Sequence, residues 1–175
     1  MTAARPDEPS AEGVTEETFG WSLGVLLRAH QSSLLTVLGD FPHGPRGYHT
    51  LAAVVRGGQP SQLALAAHLG IDRTVMTYLL DDLVDAGLVE RRLNPGDRRQ
   101  RKIVATADGL STFRTLEQRV REAEDSVLRA LDPAERETFR SLIRRVACDV
   151  RDVAPAKDPC DVAAEVLSDG TAHTG

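Results

Sequence analysis

The sequence of 175 residues contains little cysteine, few aromatic residues and no long apolar run. Its two cysteines, Cys148 and Cys160, are too few for a disulfide framework and form no CxxC pair of the kind that binds zinc. A membrane-spanning helix would need about eighteen consecutive apolar residues, which the sequence lacks. Residues 1–10 are polar and do not have the pattern of a secretion signal. We therefore expect a cytoplasmic protein that makes no membrane contact and carries no cofactor.

The motifs of common enzyme classes are also missing from the sequence. It contains no GxGxxG, GxxxxGK[ST], HExxH or GxSxG pattern. The adjacent Asp81 and Asp82 would point in different directions on a helix, which makes them a poor catalytic pair. His30, His43 and His49 lack the cysteine or carboxylate spacing of a metal site, and we interpret them as turn and surface residues. The sequence therefore predicts neither an enzyme nor a metal site.

Charge is distributed unevenly along the chain. The net charge is −5, which by itself argues against a nucleic-acid partner. Residues 91–102, however, carry a net charge of +5, so the rest of the chain carries −10. DNA contacts a local patch and not an average, so the basic segment is the more informative observation. Its basic residues are Arg91, Arg92, Arg98, Arg99, Arg101 and Lys102.

Three long helices are predicted outside the middle of the chain, one before it and two after it. The first covers residues 15–39 and ends at the Pro- and Gly-rich segment 41–45. Thr106 is a suitable N-cap for a fifth helix, and Asp-Pro-Ala-Glu at 132–135 is typical of a capping box before a sixth. Cys148 on the sixth helix is expected to be a buried, inert thiol. The residues that the sixth helix is expected to bury are Phe139, Leu142, Ile143, Val146 and Val150.

The middle of the chain has the pattern of a helix-turn-helix followed by a β-hairpin. Ser61 and Asp72 are suitable N-caps for the third and fourth helices, and Gly87 can end the fourth in a left-handed conformation. The fourth helix has the spacing of an amphipathic helix, with Met76, Leu79, Leu80 and Leu83 expected in the core. The two strands are expected at residues 88–93 and 100–105, on either side of a type II turn at Asn94-Pro-Gly-Asp97.

The face of the fourth helix opposite the core suits double-stranded DNA. Small hydroxyl side chains and an arginine lie near its N-terminal end, which approaches base edges and phosphates when a helix enters the major groove. The start of the third helix can contact phosphates in the same way. An arginine at the hairpin tip can enter the minor groove, where the potential is most negative. The candidate DNA-binding residues are Ser61, Gln62, Arg73, Thr74, Val75, Thr77 and Tyr78 on the helices and Arg91, Arg98, Arg99 and Arg101 on the hairpin.

Residues 63–106 resemble the winged helix of the MarR family of transcription regulators. The shared motifs are Leu65-Ala66, GLVxR at 87–91 and PxDRR at 95–99, and the flanking helices extend the resemblance over about residues 15–150. Tyr78 and Asp82 depart from the family pattern, since members often carry arginine there.

The resemblance implies an intertwined homodimer formed by the outer helices. It also implies that Thr74 and Thr77 lie on the recognition helix and that Arg98 is the minor-groove residue. Some relatives sense oxidants through a cysteine, which a buried Cys148 disfavours. Relatives often bind small aromatic or anionic effectors between the dimer helices and the DNA lobe. The candidate effector-binding residues are Trp21, Arg46 and Tyr48, for which packing in the core is the alternative interpretation.

The sequence thus predicts a mainly α fold with a small β-hairpin wing, a winged helix-turn-helix with long N- and C-terminal dimerisation helices. The expected function is a nucleoid-associated regulator, a repressor that binds a pseudo-palindromic operator as a homodimer and is released by a small effector. A winged-helix module that binds protein and not DNA is the alternative. The expected segments are an arm at 1–14, dimerisation helices at 15–41 and 108–153, the DNA-binding domain at 42–107 and a flexible tail at 154–175.

Overall fold

The structure, a computed structural model, describes residues 18–58, 61–94, 97–153 and 158, with only the backbone for residues 94, 97–100 and 151–153. Six helices and one antiparallel hairpin make up this part of the chain, which confirms the mainly α fold with a β-hairpin wing. The elements are α1 (Phe19–Leu38), α2 (Gly44–Arg56), α3 (Gln62–Leu69), α4 (Arg73–Asp85), β1 (Val89–Asn94), β2 (Asp97–Ala105), α5 (Ala107–Val127) and α6 (Pro133–Val153).

Five of the six described helices begin where the sequence provides a side chain to cap them, and α2, which follows His43, is the exception. Ser61, Asp72 and Thr106 each accept a backbone N–H from the first turn of the helix that follows, as predicted. The predicted capping box before α6 is also present, because Asp132 accepts from the N–H groups of residues 134 and 135 while Glu135 accepts from the N–H of Asp132. The predicted start of α1 at residue 15 lies outside the described residues.

A Schellman motif ends α4 and leads directly into the hairpin. Gly87 has a φ of 70°, which its lack of a side chain allows. Its N–H donates to the carbonyl of Val84 at 2.8 Å, and the N–H of Leu88 donates to the carbonyl of Leu83 at 2.9 Å. Leu83 and Leu88 are both buried, which supplies the apolar contact that accompanies this motif. The wing therefore leaves α4 in a fixed direction.

The hairpin pairs Val89 with Ala105 and Arg91 with Ile103, and the register shifts between Leu93 and Asn94. Strand β2 begins at Asp97, three residues earlier than predicted, because pairing continues almost to the turn. Pro95 and Gly96 of the predicted type II turn lie outside the described residues. A bridge between Ser61 and Lys102 joins the start of α3 to β2.

One apolar core holds the helix-turn-helix, the base of the hairpin and the C-terminal part of α1 together. The four α4 residues predicted to be buried have no measurable exposure, and neither does Leu51 of α2. Leu34 and Leu38 at the end of α1 are 1% exposed, and Phe113, Leu116 and Val120 join the core from α5. This core fixes the position of α4 relative to α2 and α5.

The prediction that α6 is buried is wrong for a single chain. Leu142, Ile143, Val146 and Val150 keep between 46% and 58% of their exposure, and Phe139 is half-buried. The physical reason is that no other described element of the chain covers this face of α6. The amphipathic spacing identifies a helix face that favours burial, but it does not show whether residues of the same chain or of another chain pack against that face. The ion pairs of Arg140 with Glu124 and Asp125 connect α6 to α5, at 3.3 and 2.6 Å.

Cys148 is exposed, so its expected burial is also wrong. An α-helix turns by about 100° per residue, which places Cys148 nearly opposite the apolar face of α6. Cys160 lies outside the described residues.

Candidate nucleic-acid interface

Helix α4 presents one face to the core and the opposite face to solvent. Its N-cap, Asp72, accepts the backbone N–H groups of Thr74 and Val75 at 2.7 and 3.3 Å, and these hydrogen bonds hold the pKa of Asp72 below its ordinary value. Arg73 and Thr74 are exposed at the first turn. Val75 is 41% exposed and Tyr78 is 65% exposed, although the other apolar residues of the helix are largely covered. This face therefore combines hydrogen-bonding and apolar groups, as reading base edges requires.

Two predicted residues from neighbouring helices meet on this surface. The side-chain amide of Gln62 donates to the hydroxyl of Thr77 at 2.6 Å, and the Thr77 hydroxyl donates to the carbonyl of Arg73 at 2.9 Å. The single hydroxyl hydrogen of Thr77 is thus used inside the protein. Gln62 retains an amide oxygen and a second amide hydrogen. Of the two side chains, Gln62 is the better placed to donate to a ligand.

Ser61 has a structural position at the start of α3. Its hydroxyl accepts the N–H of Ala64 at 3.2 Å, and its backbone forms the bridge to Lys102 of the hairpin. Ser61 therefore shapes the joint between helix and hairpin, and any contact with a phosphate would be additional to this capping role.

Both faces of the hairpin carry cations. Arg92 lies directly opposite Lys102, so two cations share one face, with Glu90 accepting from Arg92 at 2.8 Å. Like charges opposite each other are unfavourable in a ladder, and an external anion would relieve the repulsion. Arg101, opposite Leu93, is exposed. Arg98 and Arg99 lie in β2 next to the turn, where the backbone alone is described.

Arg91 belongs to an internal ion pair. Its guanidinium donates to Asp81 of α4 at 2.6 Å, and its side chain is 23% exposed against 49% for Asp81. The pair connects β1 to the recognition helix and neutralises the charge of Arg91. The structure therefore separates Arg91 and Arg92, which are ion-paired within the chain, from Arg101 and Lys102, for which no internal ion pair is described.

A second acidic residue of α4 is also paired within the chain. Asp82 lies 2.7 Å from the Nε2 atom of His43, which precedes α2 and has a φ of 59°. Sequence reasoning missed His43, Asp81 and Asp82 as positioning residues, although two acidic residues on an otherwise DNA-like helix were a signal. Because both carboxylates bind partners in the same chain, they do not support the alternative of an acidic docking surface for another protein.

The three candidate effector residues do not come together in one chain. Tyr48 is 6% exposed and stacks on Phe113, with ring centroids 5.9 Å apart, and its burial raises the pKa of its hydroxyl. Arg46 donates to Asp158. Trp21 is 54% exposed and precedes the buried Leu34 by thirteen residues, or about 20 Å along α1.

A cavity of about 620 Å³ lies instead between α2 and α3. His49, Arg56 and His68 supply its titratable lining, and small or apolar residues of the two helices supply the rest. Arg56 also lies 5.3 Å from the centroid of the Phe113 ring and pairs with Glu117. Within the described ranges, no group of three His, Cys, Asp or Glu residues could hold a metal ion, and no helix there is long and apolar enough to cross a bilayer.

A helix-turn-helix whose second helix exposes polar groups beside a basic hairpin defines the class of winged-helix DNA-binding proteins. A family model described as the MarR family matches residues 45–100. A crystal structure of MarR covers 82% of the chain and 97% of its own length, with a TM-score of 0.68 and 22% identity. The BpsR protein of Bordetella bronchiseptica covers 77% of the chain and 98% of its own length, with a TM-score of 0.62 and 21% identity.

A protein of Thauera aromatica assigned to transcriptional regulation of the hcr operon is 29% identical over 102 residues. The match includes 58% of the chain and 61% of that relative, so the chain spans about three fifths of the relative's length. Together with the fold, these matches show that residues 45–100 are similar to the MarR family and that the chain has the fold of MarR.

Proposed function

We propose that the protein is a homodimeric repressor that binds a pseudo-palindromic operator through α4 and the hairpin. The observation that carries this proposal is the surface on which the exposed side of α4 adjoins the basic hairpin. Arg73, Thr74, Val75, Gln62 and Tyr78 would face the major groove, and Arg98 at the turn would enter the minor groove. Arg92, Arg99, Arg101 and Lys102 would contribute charge toward phosphates, while Arg91 and Thr77 would act mainly by positioning their neighbours.

The dimer proposal rests on the uncovered apolar face of α6. Its four large aliphatic residues are about half exposed, and the start of α1 exposes Phe19 and Trp21 to 80% and 54%. Exposed apolar surface of this extent on two long helices is typical of an interface between chains. A two-fold dimer of this kind would present two recognition helices about 34–36 Å apart, one helical turn of DNA. Residues 15–41 and 108–153 would then form the dimerisation region, and residues 42–107 the DNA-binding domain.

The DNA-binding proposal is tested by titrating labelled genomic fragments from around the gene with the full chain at several salt concentrations. Several phosphate contacts should give a steep fall of log affinity with log salt, with a slope of about −0.9 per contact. Arg98→Ala should weaken binding to all fragments and reduce the slope by about 1. Arg129→Ala is the matched control, since it removes the same charge just beyond the C-terminal end of α5, and the helix separates that end from the hairpin by about 30 Å. Equal affinity of Arg98→Ala and the wild type would refute the role of the hairpin.

The dimer proposal is tested by sedimentation of two variants that place the same charge on α6. Ile143→Glu introduces a carboxylate on the apolar face and should shift the protein to the monomer. Ser141→Glu introduces it on the exposed opposite face and should leave the dimer intact. A wild-type protein that sediments as a monomer at micromolar concentration would contradict the proposal, as would two variants that behave alike.

An effector with a carboxylate is the form of regulation that best fits the candidate residues. Arg46 has a guanidinium suited to a carboxylate, and the DNA binding of the structural neighbour BpsR is regulated by 6-hydroxynicotinic acid. An effector would act by binding more tightly to a dimer whose recognition helices no longer match the operator spacing. The regulator would work in the cytoplasm, at the nucleoid. Release of a bound fragment by an added aromatic acid, and no release from Arg46→Gln, would support this step.

A further inference from the structure

Asp158 is a buried carboxylate in the segment that follows α6. It is 6% exposed, and among the described residues only Thr50 is a second buried polar residue. Its Oδ2 atom accepts a hydrogen bond from Nε of Arg46 at 2.6 Å, and the Arg46 side chain is 26% exposed. A carboxylate removed from water is stable only when its charge is compensated. The burial of Asp158 therefore depends on the positive charge of α2.

Asp158 lies against α2, a helix of the winged-helix lobe. Asp158 follows the last residue of α6, Val153, by five residues, so the connection can span at most about 17 Å. Arg46 lies in the first turn of α2, one turn before His49. These two residues share a face of α2, because positions three apart are neighbours on a helix.

His49 connects this contact to the cavity between α2 and α3. Desolvation by the surrounding protein lowers the pKa of His49, although part of its surface is exposed to solvent. His30 and Arg56 lower this pKa further, while the Asp158 carboxylate and Glu124 raise it. His49 is also one of the residues that line the cavity of about 620 Å³. Asp158 thus binds Arg46 on the same face of α2 as His49. His49 in turn lines a cavity that has room for a small apolar group.

We propose that Asp158 is a built-in carboxylate ligand of the Arg46 site, which a free carboxylate must displace in order to bind. The inference rests on the proposed effector role of Arg46. A guanidinium binds carboxylates from either source through the same charge-assisted hydrogen bonds. The tethered carboxylate has the advantage of a high local concentration. The ligand class is a monocarboxylate with a flat apolar body, whose acid group would take the place of Asp158.

The expected change in affinity depends on the fraction of molecules in which Asp158 binds Arg46. If Asp158 occupies Arg46 in nine of ten molecules or more, the apparent dissociation constant of a free carboxylate is raised about tenfold or more. Removing the Asp158 charge should recover that factor. Asp158→Asn keeps the size of the side chain and removes its charge, while Asp40→Asn removes an equal charge from the exposed turn after α1 and serves as the control.

The test is calorimetric titration of benzoate, with neutral benzamide for comparison, into the full-length protein and its variants. Asp158→Asn should bind benzoate at least about tenfold more tightly than the wild type and Asp40→Asn, and none of the three should gain affinity for benzamide. The double variant Arg46→Gln/Asp158→Asn should lose benzoate binding. Equal affinities of Asp158→Asn and the wild type would overturn the inference, and so would absence of binding to both. Titration of the same proteins with DNA fragments judges the proposed function separately, because DNA binding by the wild type does not depend on the outcome with benzoate.

Discussion

Replacing Gly109 with alanine should destabilise the protein, although alanine is the better helix former. Gly109 lies in the first turn of α5, where the helix passes over the backbone that enters β1. A Cβ atom added to Gly109 would lie 1.9 Å from the carbonyl oxygen of Leu88, whereas such contacts are not found below 3.0 Å. Helix α5 and Leu88 would therefore have to separate by more than about 1 Å.

The expected size follows from what that movement would disturb. The Leu88 carbonyl accepts the N–H of Thr106 at 3.1 Å, and the Thr106 hydroxyl both caps Gly109 at 2.9 Å and donates to Gly87 at 2.6 Å. Overpacking costs about 1–3 kcal/mol, and weakening the cap and one hydrogen bond adds about 1–2 kcal/mol. The gain in helix propensity offsets about 1 kcal/mol. The net loss should be about 1–4 kcal/mol.

Urea unfolding at a fixed protein concentration measures this loss. The matched control is Ser111→Ala, an exposed position on the same helix, which should change stability by about 0.5 kcal/mol or less. Thermal unfolding should show Gly109→Ala melting at least about 2 °C below the wild type. A Gly109→Ala protein as stable as the wild type, or more stable, would refute the reasoning, because propensity would then outweigh the contact with Leu88.

Three further outcomes follow from contacts of α4 and α6. The pKa of Asp72 is lower in the folded protein, so its carboxylate stabilises α4 at pH values above the ordinary Asp pKa of about 3.9. This stabilisation is lost as the pH falls. The difference in unfolding free energy between the wild type and Asp72→Ala should therefore shrink when urea unfolding is repeated in acid. A double-mutant cycle of Asp81→Leu and Arg91→Met should give a coupling of about 1 kcal/mol in the same assay, because the pair is only partly shielded from water; additive effects would show that the pair does not hold the hairpin. Cys148 should react quickly with a thiol reagent in the folded protein in a Cys160→Ser background, since it lies on the exposed side of α6; slow reaction without denaturant would contradict that placement.

Features that depend on neighbouring residues were predictable from the sequence. The caps at Ser61, Asp72 and Thr106 and the buried stripe of α4 each depend on residues within about two helical turns, so their spacing contains the necessary information. The burial of α6 was not predictable, because it requires a surface from outside that helix. The side-chain predictions for Arg98 and Arg99 remain predictions, since only their backbone is described.

Contacts between distant residues were the other part that the sequence could not provide. The pairs His43–Asp82 and Arg46–Asp158 are separated by 39 and 112 positions, and no local pattern relates them. The same holds for the ion pair of Arg91, whose position on the hairpin predicted a contact with DNA. Whether an arginine faces a phosphate or a carboxylate depends on what the fold brings next to it.

The bridge between Ser61 and Lys102 restricts how a signal could reach DNA. It joins the beginning of the helix-turn-helix to the returning strand of the wing, while the Schellman turn joins its end to the outgoing strand. The helix-turn-helix and the wing are thus connected at both ends and should move as one rigid unit. In the proposed dimer, regulation would then change the distance between two such units and not the shape of either one.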